Sequence, residues 1–107
     1  MDLQTIRQEI PTASPGRLSE ILVGLSEYYS RLSEELGDIL VFKTDVWLEV
    51  RAREGVKSDR MADKLWDAMD QGKKEIKLRY TSKGIEKMMS SIKTMLRTKE
   101  NEAHSIY

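Results

Sequence analysis

Residues 18–50 read LSEILVGLSEYYSRLSEELGDILVFKTDVWLEV, and this stretch decides the fold. Leu18, Leu22, Leu25, Tyr29, Leu32, Leu36, Ile39, Lys43, Val46 and Val50 follow one another in alternating steps of four and three. A helix carrying that spacing presents a single seam to a partner helix, as in coiled coils. Lys43 alone interrupts the apolar series. The stretch contains no proline, so a long uninterrupted helix is expected.

Upstream, Ser14-Pro15-Gly16 supplies a start signal, with Ser14 as N-cap and Pro15 at the first helical position, where its missing N–H costs nothing. Residues 1–13 form an arm, a short helix capped by Asp2 with Leu3, Ile6 and Ile10 on one face, ended by Pro11. Downstream, Gly55 fits the left-handed position after a helix end, and Ser58 with Asp59 fits the next helix start. The first long helix is therefore predicted over 14–54 and the second over 58–103. So short a loop favours antiparallel neighbours, placing Leu36 near Ile76 and Leu22 near Met89.

The second helix shows two apolar stripes. Met61, Leu65, Met69, Ile76 and Tyr80 form one; Leu78, Ile85, Met88, Met89, Ile92 and Leu96 form another, rotated most of the way round. The switch falls at 80–84, where Gly84 weakens a helix, so a continuous or bent helix is expected there. The tail from Asn101 to Tyr107 is expected to fray. The fold class is all-α: a coiled-coil-like antiparallel helical hairpin with a short N-terminal helix, in one domain over 1–107.

Composition narrows the function. The chain of 107 residues is 34% charged, has no cysteine, and carries one histidine. Disulfides, thiolate zinc sites and thiol catalysis are excluded, and a cytoplasmic setting is the expectation. The longest apolar run, Ile39–Phe42, is too short to span a bilayer, and the opening residues lack a secretory leader's basic and apolar regions. His104 has no second imidazole to share a metal with. Glu34, Glu35 and Asp38 cluster, but without the Glu-x-x-His pairs of di-metal bundles they read as a solvated face. Gly72-Lys73-Lys74 resembles the end of a phosphate-binding loop, yet the rest of that motif is missing. No catalytic, cofactor-binding or metal residue is assigned, and no enzymatic activity is expected.

Two features concern partners. Ile21, Tyr28, Phe42, Trp47 and Leu48 lie off the main seam of the first long helix, and leaving them in water exposes an apolar patch. Either the N-terminal arm covers them or another protein does, and a homo-oligomer, most simply a dimer, is expected. The net charge is zero, but residues 1–70 carry fourteen acidic and nine basic side chains and residues 71–99 carry two and nine. Arg79, Lys83, Lys87 and Arg97 form a stripe that could track a phosphate backbone, although no aromatic series accompanies it for base stacking.

The stretches IPTASPGRLSE (10–20), SDRMADKLWDAMDQGKKEIKLR (58–79) and KGIEKMMSSIKTML (83–96) resemble small helical proteins encoded by tailed bacteriophages. That resemblance implies an infected bacterial cytoplasm and assigns no residue a role. The sequence thus predicts a non-enzymatic protein–protein adaptor acting through helical surfaces. Its alternatives are a nucleic-acid-binding accessory of phage replication or recombination, and an inhibitor of a host defence system.

Overall fold

The structure, a computed structural model, describes residues 1–105, with side chains described through Glu102. The order is α1 (Leu3–Glu9), a 3-10 turn (Ile10–Thr12), α2 (Pro15–Arg51), α3 (Asp59–Ala68) and α4 (Asp70–Ser105). The fold is all-α, with no strand among the described residues, and its long helices pack against each other. Within it two compact units can be described: residues 1–30 with the described residues from Lys83 onward, and Arg31–Ser82.

In the first unit, Asp2 caps α1 by accepting the Gln4 and Thr5 backbone N–H groups. Pro11 lies inside the 3-10 turn, so the chain tightens before it leaves helical geometry. The Ser14 hydroxyl then accepts the Arg17 N–H at 3.2 Å and starts α2. Leu18, Ile21 and Leu25 of α2, Ile85, Met88 and Ile92 of α4, and Ile10 and Ala13 of the arm are buried. Full burial of a leucine or isoleucine stabilises by about 1.5–3 kcal/mol each, so this seam is the unit's main source of stability. Ser26 meets Met89 and Tyr29 donates to Glu86 at 2.5 Å, so the helices run antiparallel. Met89 lies one turn from its expected neighbour Leu22.

In the second unit, α2 ends at Arg51 and Gly55 turns the chain at φ 87°, in the left-handed region where a side chain is strained. Arg51 spans the turn, donating to Asp59 at 2.9 Å and to the Val56 carbonyl at 3.0 Å. Ser58 caps α3 by accepting the Met61 N–H at 3.1 Å.

The second long helix is unbroken through 80–84, in keeping with the continuous or bent helix expected there, but it is interrupted upstream at Met69, whose backbone is extended (φ −75°, ψ 156°). Met69 ends α3, its N–H bonded to the Trp66 carbonyl, and begins α4, its carbonyl accepting from Lys73. Gly72 makes this one-residue junction possible, because a Cβ there would sit 1.9 Å from the Trp66 carbonyl oxygen. The glycine of the apparent phosphate-loop match is thus a packing residue. Rotation at the junction changes which residues face α2. Ala62, Trp66, Gly72, Glu75 and Leu78 are buried, whereas Met61, Leu65, Ile76 and Tyr80 of the first predicted stripe are exposed. α4 extends to Ser105, past Asn101 where fraying is expected to begin, while Ile106 and Tyr107 lie outside the described residues.

Candidate interaction surface

The chemistry of the second unit centres on Glu75, the buried charged residue at 7% exposure. Its carboxylate accepts from the indole N–H of fully buried Trp66 at 2.9 Å and from Arg79 at 2.9 Å, and it pairs with Lys43 at 3.2 Å. Lys43 also lies over the Trp66 ring, 5.6 Å from its centroid, within cation–π range. The lysine that interrupts the apolar seam therefore answers a glutamate on the facing helix. Burial pushes the Glu75 carboxyl up, but donation from Arg79, Trp66 and Lys43 outweighs it and holds the group below its ordinary range. A carboxylate held by three donors, and kept ionised by them, is poorly placed to take a proton from a substrate.

Trp66 connects this cluster to the surface. Phe42 lies at its edge with centroids 6.4 Å apart and planes tilted by 51°, and is itself half exposed. Phe42 also lines a cleft of about 300 Å³ with Glu35, Asp38, Ile39, Gln71 and Lys74. One rim of that cleft is tied by the Lys74–Glu35 ion pair at 2.8 Å. Met61 and Leu65, one turn apart on α3, are exposed on the helix that carries Trp66. An aromatic edge, two flexible apolar side chains and a shallow cleft with a charged rim can receive the apolar side chains of a partner.

The side chains expected to form an interface separate on this basis. Ile21, expected to need a cover, is buried at 3% within its own unit. The arm reaches α2 one turn from Ile21, the Met1 methyl lying 2.9 Å from where a Cβ on Gly24 would stand. Tyr28 is half buried. Trp47 is half buried and donates its indole N–H to Asp63 at 2.8 Å, so its polar edge is satisfied within the chain. Phe42 and Leu48 remain exposed. Sequence reasoning missed Met61 and Leu65, which it placed in a packed stripe because the turn at Met69 leaves no apolar signature.

The basic stripe divides between the units, with Arg79 in the second and Lys83, Lys87 and Arg97 in the first. All four are exposed, and Arg79 differs in being paired with Glu75. In the first unit Lys87 lines a cleft of about 360 Å³ with Arg7, Ile10, Pro11, Gly84, Met88 and Ser91. Among the described residues no group of three or more acidic or imidazole side chains could hold a metal ion, the Glu34–Glu35–Asp38 cluster included. The His104 side chain lies outside the described residues. No described helix is long and apolar enough to cross a membrane. No family model, curated protein or solved structure matches the chain.

Proposed function

We propose that this chain is a non-enzymatic protein-binding module that receives a helix or an apolar segment of another protein on the Phe42–Met61–Leu65 face. The observation that carries this reading is the exposure of Phe42 at 50%, held in place by its contact with fully buried Trp66. A half-exposed aromatic backed by a rigid core loses little side-chain entropy on binding, which is how interface anchors contribute most of their affinity. Helix-in-groove contact, read out by side chains one turn apart, suits Met61 and Leu65. The phage resemblance makes bacterial cytoplasm the setting in which to seek the partner.

The test is capture of the tagged chain from bacterial lysate, with and without nuclease, beside a variant carrying Phe42→Ser and Leu65→Ser. A protein retained after nuclease by the native chain and lost by the variant supports the reading. Retention of the same protein by the variant removes this face from consideration. Loss of all partners on nuclease treatment overturns the reading in favour of nucleic-acid binding through Lys83, Lys87 and Arg97.

A further inference from the structure

In the second unit two neighbouring sets of charges behave differently. Glu35 and Lys74 face each other and pair at 2.8 Å within the chain. Glu34 and Lys73, one residue earlier on each helix, are exposed and make no ion pair among the described residues, and neither do Asp38 and Lys77 one turn further on. Completing these rows are Val41, 73% exposed, and Tyr80, 77% exposed, the most exposed large apolar residues among those described. Residues 34, 38 and 41 step by four and three, and so do residues 73, 77 and 80. Two helices sharing that spacing can lie side by side with every residue matched. Each row faces away from the packed seam of its own helix, because Val41 and Lys77 both lie two residues, about 200°, beyond buried Ile39 and Glu75. One row is acid, acid, apolar; the other is base, base, apolar.

We propose that the chain associates with further copies of itself by laying the outer edge of α2 in one copy, Glu34–Asp38–Val41, along the outer edge of α4 in the next, Lys73–Lys77–Tyr80. With the two helices parallel, Glu34 meets Lys73, Asp38 meets Lys77 and Val41 meets Tyr80. The contact is heterologous, joining unlike surfaces, so every copy keeps one free edge of each kind and association continues past two copies unless a ring closes. It differs from the two-copy arrangement expected from the sequence, and the size of the assembly distinguishes the two. Tyr80 also supplies what the acidic edge lacks, a flat ring with a polar tip that buries area against Val41 without stranding its hydroxyl. Asp38 also lines the cleft beside Phe42, so Phe42→Ser with Leu65→Ser, which leaves both charged rows intact, separates a failure of this contact from a failure of the Phe42–Met61–Leu65 face.

Sedimentation velocity of the purified full chain across concentration, at low and at elevated salt, tests it. Sizes should grow with concentration and shrink with salt, an association constant falling by roughly threefold to tenfold across one decade of ionic strength. Two variants separate matched pairing from net charge, which both leave at zero. Glu34→Lys with Lys77→Glu puts like charges opposite each other at both positions and should abolish association. Glu34→Lys and Asp38→Lys combined with Lys73→Glu and Lys77→Glu exchanges the signs of both edges and should restore it. All four positions are exposed, and unchanged helical circular dichroism confirms that the variants fold. A chain that stays monomeric, a species that stops at two copies, or a first variant that associates like the native chain overturns the proposal. A monomer whose lysine edge instead binds an oligonucleotide overturns it as well.

Discussion

Removing the Glu75 carboxylate is the most direct test of how the second unit is held. In Glu75→Ala the Trp66 indole N–H stays buried and loses its acceptor, which costs about 1–3 kcal/mol. Lys43 and Arg79 lose less, because their side chains retain 29% and 50% of their exposure and regain hydration, so the ion pairs are discounted toward surface values. Loss of the buried side-chain atoms leaves a small void worth about 1 kcal/mol. Together these give about 2–4 kcal/mol, a large part of a small domain's stability. Lys43→Met should cost about 1 kcal/mol or less, since the stem still covers the Trp66 ring and Glu75 keeps two donors. Glu35→Ala, which opens a pair exposed at both ends, should cost no more than about 0.5 kcal/mol. Urea unfolding followed by circular dichroism and tryptophan fluorescence reads all three. Equal costs for Glu75→Ala and Glu35→Ala would refute the view that the buried acceptor organises this unit.

The same carboxylate sets an acid limb. Its folded pKa is depressed, so its stabilising contribution is present above the unfolded carboxylate range and is lost as pH falls through the folded value. The stability gap between the native chain and Glu75→Gln should therefore be flat above about pH 5 and close below about pH 4 in pH-dependent urea midpoints. Gly72→Ala should prevent the α3–α4 junction from forming as built, losing 3 kcal/mol or more on the order of a severe backbone clash, whereas Gly37→Ala, with open space around its Cβ in mid-helix, should gain about 0.5–1 kcal/mol by thermal melting. Ser58→Ala removes the α3 cap and should cost about 1 kcal/mol in the same melts. Ser82 carries a buried hydroxyl without a hydrogen-bond partner among the described residues, so Ser82→Ala should raise the melting temperature, by about 1 kcal/mol of stability.

Much of the fold is legible in local signals. The caps at Asp2, Ser14 and Ser58 and the left-handed Gly55 follow from residue type at a position, and the structure has each in that role. The α2 seam is legible because its buried residues are large and apolar. The facing seam is less so, because Ala62, Gly72 and Glu75 stand between Trp66 and Leu78 in it, and two small residues and an acid interrupt the hydrophobic signal. Glu75 becomes a core residue only in company with Lys43, its partner on another helix, so neither residue alone reveals the pair. The exposed surface was hidden by the same cause. A one-residue interruption at Met69 exchanges inside for outside along the preceding turns, and Met61 and Leu65 then face water despite their spacing. Ile21 is an off-seam residue enclosed within the arm's own unit, one of the two covers its position left open.

The interruption at Met69 also separates two ladders of amide protons. A helix frays from its ends, and α3, only ten residues long, has an end at each side, the Gly55 turn and Met69. Its amides can exchange with solvent by a local opening that leaves the α4 ladder closed. Such an opening takes Trp66 out of the core and strips Glu75 of one donor, so the protected carboxylate would gain water and become able to take up a proton. Exchange of the Trp66 indole proton would then report the same event as exchange of the α3 backbone, and both should quicken together as the solution is made acidic relative to what intrinsic amide chemistry alone dictates.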